Sequence, residues 1–206
     1  MPLPRPVIKA IAIWVTVAVF VTVPFFLAVF SPLLAYRDGP YIAAGLAGAA
    51  ILGALLLQPL LGLGLLPRLS TSRARHCHRI IGPLIAVAVL VHVGGLYLTS
   101  PPDTIDALLL VSPTPFSVWG VLAMVGVFLA VVFTSLRKRM GLRHWRMVHF
   151  AITTLIVLGS VIHALLISGT MEYWSKLALC IALLATTVIG MIYGRVIRPA
   201  RRRHKG

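Results

Sequence analysis

Six long apolar segments constrain this chain more than any other feature of its sequence. Each has about 20 residues or more, the length that an α-helix needs to cross the hydrocarbon of a bilayer. They occupy most of the 206 residues, so we expect one domain over residues 1–206, an all-α, polytopic bundle of six transmembrane helices. The segments are Val7–Phe30, Tyr41–Leu66, Ile80–Leu98, Val118–Leu136, Val148–Ile167 and Leu177–Ile197.

The charged residues predict the orientation of this bundle. In a soluble protein, the net charge of +15 would suggest nucleic acid as a partner. Here the basic residues cluster at the N-terminus, in the second and fourth loops and in the C-terminal tail. This is the positive-inside pattern, which places both termini in the cytoplasm and favours contact with anionic membrane lipid, not nucleic acid. The first, third and fifth loops hold all four acids and two bases: Asp38, Asp103, Asp106, Glu172, Arg37 and Lys176.

Four of the seven histidines follow a regular spacing. His78 and His92 are 14 residues apart around the third apolar segment, and His149 and His163 are 14 apart around the fifth. At about 100° per residue, 14 residues fall some 40° short of four full turns, so the members of each pair share one helix face. The rise between them is roughly 21 Å. Each segment therefore carries histidines at two depths.

Because both segments run from inside to outside, their histidines match in level. We call His78 and His149 the inner pair, and His92 and His163 the outer pair. An imidazole inside a membrane is costly unless it has a partner, and it points to a functional site. A haem iron between two facing imidazoles would satisfy both nitrogens. The spacing predicts two b-type haems with bis-histidine ligation, and no residue reads as a catalytic acid, base or nucleophile.

Each histidine also has a simpler interpretation. A single buried histidine can hydrogen-bond to a neighbouring helix, and the inner pair lies near enough to the boundary to be solvated. His76, which is 16 residues before His92, faces away from it, yet it could replace His78 if the helix begins irregularly. His144 and His204 are expected to be solvated.

Arginines follow or precede the inner histidines closely. Arg79, Arg143 and Arg146 are placed to pair with the propionates of an inner haem, because a guanidinium matches the geometry of a carboxylate. The alternative is ordinary positive-inside charge with no role in binding.

The two histidine segments resemble a known family. "HRIIGPLIAVAVLVH" on the third segment and "HWRMVHFAITTLIVLGSVIHALL" on the fifth are similar to the ferric-reductase-like transmembrane domain. That family includes the membrane cores of NADPH oxidases and the haem-binding subunit of the bacterial methionine-sulfoxide reductase system. The resemblance implies that His78, His92, His149 and His163 ligate haems that carry electrons across the membrane. Trp145 and Arg146, just before His149, also fit the family's pattern.

The chain departs from the larger family members in one respect. It contains no fingerprint of a flavin or nicotinamide domain, and so resembles the small stand-alone bacterial type. We therefore expect a bacterial inner membrane location and an electron-transfer subunit of an oxidoreductase. The donor would be a separate flavin reductase, free reduced FMN or FAD, or a membrane quinol. The acceptor would lie on the periplasmic or extracellular side.

Three other functions remain open at this point. A quinol-oxidising cytochrome b subunit of another bundle type shares the haems and the histidines, so sequence separates it poorly. A haem-free transporter could use the buried histidines as relays, but such proteins usually also place carboxylates in their spans, and these six segments contain none. A purely structural subunit would not need histidines at matched levels.

Overall fold

The computed structural model describes residues 4–194, and within that range the chain forms seven α-helices and no β-strand. Six of the helices are long and apolar enough to cross a membrane, which confirms the predicted all-α transmembrane bundle. The end of the predicted sixth segment at Ile197, and His204, lie outside the described residues. The helices are α1 Arg5–Val29, α2 Gly39–Leu63, α3 Thr71–Thr99, α4 Pro101–Leu108, α5 Pro115–Ser135, α6 Leu142–Leu166 and α7 Tyr173–Ile192.

The two helices that carry the histidines begin well before their apolar segments. The helix α3 begins at Thr71, well before Ile80, because the Ser70 Oγ caps it by accepting a hydrogen bond from the Arg73 N–H at 3.3 Å. Likewise α6 begins at Leu142 and not at Val148. Polar residues thus continue both helices beyond the apolar runs, and all four histidines of the two pairs lie on regular helix.

The turn after α2 brings α3 back alongside it. Gly64 ends α2 with a left-handed backbone (φ 67°), which glycine adopts without a steric penalty. The Leu65 N–H then donates to the Leu60 carbonyl at 2.9 Å, and the Gly64 N–H donates to the Leu61 carbonyl at 3.1 Å. This is a common way to satisfy the last carbonyls of a helix. It makes α2 and α3 an antiparallel hairpin.

Two such hairpins form most of the bundle. The helices α2 and α3 pack closely, as do α5 and α6, while α7 lies against α2 and α6, and α1 lies against α2 and α7. Gly95 of α3 lies so near α2 that a Cβ there would come within 2.5 Å of the Pro40 carbonyl, and a Cβ on Gly159 of α6 would come within 2.9 Å of the Trp119 carbonyl of α5. By contrast, α3 and α6 make almost no close backbone approach within residues 4–194.

Candidate functional site

The two histidine pairs bridge the space between α3 and α6. The ring centroids of His78 and His149 are 6.3 Å apart, with their planes at 74°. Those of His92 and His163 are 6.2 Å apart, with their planes at 86°. The structure therefore brings together the residues of each pair at two separate levels, and the imidazoles reach across a gap that the helix backbones do not close.

Three of these imidazoles are held by a backbone carbonyl of the other helix in their own hairpin. The Nδ1 of His78 donates to the Gln58 carbonyl at 3.1 Å, and that of His92 donates to the Ala44 carbonyl at 2.7 Å. The Nδ1 of His163 donates to the Phe116 carbonyl at 2.9 Å. Because a carbonyl can only accept, Nδ1 carries the proton in each ring. The lone pair of Nε2 is then left free for a metal, as in most metal-binding histidines.

A glycine lies four residues after each of these carbonyls. A Cβ on Gly62 would come within 3.3 Å of the His78 ring, and one on Gly48 within 3.2 Å of the His92 ring. On Gly120 the distance to the Nδ1 of His163 would be only 2.7 Å. Residues i and i+4 share a helix face, so the carbonyl and the missing side chain act together. We call each such arrangement a carbonyl–glycine seat.

Among the described residues, His149 has no such seat. The two seats on α2 are 14 residues apart. A second seat on α5 at the same spacing would use the Ala130 carbonyl and a glycine at position 134, but Thr134 stands there. Within residues 4–194 the His149 ring has no hydrogen-bond partner. It stacks instead on the Trp145 indole, with centroids 5.1 Å apart and planes at 11°, and the Arg137 guanidinium lies 4.7 Å over that indole.

Two buried polar atoms beside the inner pair lack a hydrogen-bond partner among the described residues. They are the Nε1 of Trp145 and the Oε1 of Gln58. The Gln58 Nε2 donates to the His78 carbonyl at 3.4 Å, which fixes this amide next to the pair. An unpaired buried donor costs about 1–3 kcal/mol. The indole N–H therefore suits a ligand that carries an acceptor, such as a carboxylate.

The other histidines and arginines that the sequence places near the inner pair lie at the same end of the bundle as that pair. His76, Arg79, Arg143, His144 and Arg146 are all exposed. His78, and not His76, faces α6. The roles of Arg79 and Arg146 in binding propionates stay predictions.

The donor set of each pair fits a haem better than a metal ion bound by protein alone. Among the described residues, no group of three or more His, Cys, Asp or Glu side chains could hold a metal ion, whereas structural zinc sites use four protein ligands. A porphyrin iron needs only one or two axial ligands from the protein. With a metal–imidazole bond of about 2.0–2.1 Å, two imidazoles that ligate one metal from opposite sides would place their nitrogens about 4.0–4.2 Å apart, with the ring centroids further back. The observed centroid separations of 6.3 and 6.2 Å are compatible with that spacing.

The sequence alone did not predict the glycines of the carbonyl–glycine seats, Gly48, Gly62 and Gly120. The signal that could have revealed the seats is the 14-residue spacing of Gly48 and Gly62, which equals the spacing of the histidines.

Comparison with known proteins agrees with this architecture. A family described as the ferric reductase like transmembrane component matches residues 44–160, a range that includes His78, His92 and His149 and ends shortly before His163. No curated protein and no solved structure matches the chain. The family match covers more than half of the 206 residues, and the chain belongs to the ferric-reductase-like transmembrane family.

Proposed function

We propose that this protein is a membrane b-type cytochrome that carries electrons across the membrane through two bis-histidine haems. The observation that carries the proposal is the presence of two imidazole pairs, at separate levels, each at a separation compatible with one iron held between two histidines. Membership of a redox family supports it. When bound, the haems would supply one-electron transfer between the two levels.

The residues of the chain would hold and tune these groups. His78 and His149 would ligate at the inner level, and His92 and His163 at the outer level. The carbonyl–glycine seats hold three of the rings in one tautomer, which raises the basicity of the ligating nitrogen. Trp145 offers its N–H to a carboxylate at the inner level. Arg79 and Arg146, at the same end, would attract propionates or the anionic headgroups of lipids.

The direction of transfer follows from the charges. The basic end of the bundle would face the cytoplasm of a bacterial inner membrane. The donor there would be a flavin reductase with FMN or FAD, a free reduced flavin, or a quinol in the membrane. The acceptor would meet the opposite end, near α4. The described spans present no carboxylate for proton relay, because the acids lie in the loops and on α4. The chain would therefore act as the electron-transfer subunit of an oxidoreductase.

Vesicles test this proposal directly. The protein, produced with ample haem, is reconstituted with ferricyanide trapped inside and a reduced flavin or a quinol added outside. We expect a low-spin b-type spectrum and reduction of the trapped ferricyanide. The variant His92→Ala should stop the crossing while some haem is still reduced, and His76→Ala should behave as the wild type. Protein without haem, or loaded protein that carries no electrons across, would overturn the proposal.

The two classes of donor are distinguished in the same vesicles. Reduction by the flavin alone favours a flavoprotein partner. Reduction by the quinol, blocked by a quinone analogue, favours the quinol-oxidising interpretation.

A further inference from the structure

A lysine is buried in the membrane-spanning helix α7. Lys176 is the fourth residue of α7, and only 5 % of its surface is exposed. The sequence had suggested a loop position, since the apolar segment starts at Leu177. Charged side chains within membrane spans are rare and usually functional. The burial of this one therefore needs an explanation.

The Lys176 side chain binds the end of the helix that carries His163. Its Nζ donates a hydrogen bond to the Ile167 carbonyl at 2.7 Å. The Ile167 N–H in turn donates to the His163 carbonyl at 3.2 Å, one helical turn earlier. A cation is favourable at this position, because the C-terminal end of a helix carries partial negative charge. Lys176 is also close enough to act electrostatically on the His163 ring.

The nearest acid along the chain, Glu172, makes its hydrogen bonds to backbone N–H groups and not to Lys176. Glu172 lies one turn before Lys176, but its two carboxylate oxygens accept hydrogen bonds from the backbone N–H groups of Trp174 and Ser175, each at 2.8 Å. Glu172 is also exposed, so water screens its charge. Lys176 is thus a buried cation whose hydrogen-bond partner within residues 4–194 is the neutral Ile167 carbonyl.

Within residues 4–194 the inner pair has no equivalent. The described cations at that end, including Arg79 and Arg146, are exposed, and solvent screens them. Among the described residues, the two levels therefore differ in electrostatics: a buried cation lies beside the outer pair, where the Glu172 carboxylate offsets part of its charge, whereas the cations beside the inner pair are exposed.

We propose that Lys176 raises the reduction potential of the outer haem, so that electrons pass from the inner level to the outer level. This inference rests on the proposed function. Reduction adds one electron to the ferric iron and removes one positive charge, and a nearby fixed cation therefore favours the ferrous form. Charge, burial and hydrogen bonding are the means by which a protein sets such potentials.

Spectroelectrochemical titration of the full chain in detergent tests the inference. The titration is repeated in His78→Ala protein, where the outer haem absorbs alone. Lys176→Gln keeps a donor for the Ile167 carbonyl, and Lys176→Met keeps the packing, while both remove the charge. At a fixed ambient potential we expect the ferrous-to-ferric ratio of the outer haem to fall about tenfold, equivalent to about 59 mV for one electron. Lys176→Arg should restore the wild-type ratio, and the exposed control Lys9→Gln should not change it.

The outcomes separate the two proposals. If either neutral variant loads two haems and its outer haem keeps the wild-type potential, the inference is wrong while the cytochrome function stands, and Lys176 only holds the end of α6. A wild-type chain that binds no haem would overturn both.

Discussion

The ring centroids of His92 and His163 are 6.2 Å apart, and each ring is hydrogen-bonded to the neighbouring helix of its own hairpin. The Nδ1 of His92 is bound to Ala44 of α2, and that of His163 to Phe116 of α5. Each hairpin thus presents one ligand already oriented before any metal arrives. Such preorganisation lowers the entropy lost on binding and raises affinity without additional contacts.

The carbonyl–glycine seats should not tolerate a methyl group. In Gly120→Ala the new Cβ would lie 2.7 Å from the Nδ1 of His163, so the ring or the α5 backbone must shift. Overpacking of this kind costs about 1–3 kcal/mol. We expect a lower thermal stability and a loss of haem from the outer pair, measured as haem per chain after purification.

The control for that variant is Gly94→Ala on α3, where a Cβ would meet nothing within 4 Å. It should keep both haems and the wild-type stability. Equal loss of haem in the two variants would mean that the seats have no special role.

Trp145 should matter for the inner haem alone. Trp145→Ala removes the surface on which His149 stacks and also the unpaired indole N–H. Supporting residues around metal ligands typically contribute about 10–100-fold in affinity. The haem affinity is measured in His92→Ala protein, where only the inner pair can bind haem. There we expect Trp145→Ala to lower the affinity by about that factor, and Trp145→Phe to lower it less because the phenyl ring still stacks on His149.

A second tryptophan gives the matched control for this titration. Trp174 is exposed at the opposite end of the bundle, and Trp174→Ala should leave the affinity unchanged. If both alanine variants bind haem as the wild type does, the stacking contact does not support the ligand.

Stability at low pH should depend on Glu172. Hydrogen bonds from the backbone N–H groups of Ser175 and Trp174 hold the pKa of this carboxyl below its usual value. A group whose pKa is lowered on folding stabilises the fold above its unfolded pKa, and that contribution is lost as the pH falls through the folded pKa. The difference in melting temperature between the wild type and Glu172→Gln should therefore be constant above about pH 6 and shrink below about pH 4.

Thermal unfolding in detergent between these pH values measures the effect. A difference that stays constant, or that grows as the pH falls, would show that the carboxylate does not cap α7 in the way described.

The bundle could be predicted from sequence because hydrophobic length is a local property. Six apolar segments suffice for six spans, and 14-residue spacing suffices to place His78 and His92 on one face. The start of α3 could not be predicted in the same way. Arg73 and Arg75 end the apolar pattern, while the helix itself begins at the Ser70 cap.

The seats and the buried lysine depend on contacts between helices, which no single segment reveals. The effect of Gly62 on His78 follows from the hairpin that Gly64 closes. The sequence alone predicts an outer-loop position for Lys176. Its burial could not be predicted, because it arises only when α7 packs back against the end of α6. Orientation of the bundle stays a prediction from charge.

The most direct test of the central claim is the haem stoichiometry of paired double variants. Two haems, each held by one residue of α3 and one of α6, predict that His92→Ala/His163→Ala protein keeps one haem per chain, since both changes affect the same site. His92→Ala/His149→Ala protein should keep none, since each change destroys a different site. If the two double variants bind equal amounts of haem, or if the wild type binds none, the assignment of His78 with His149 and of His92 with His163 is wrong.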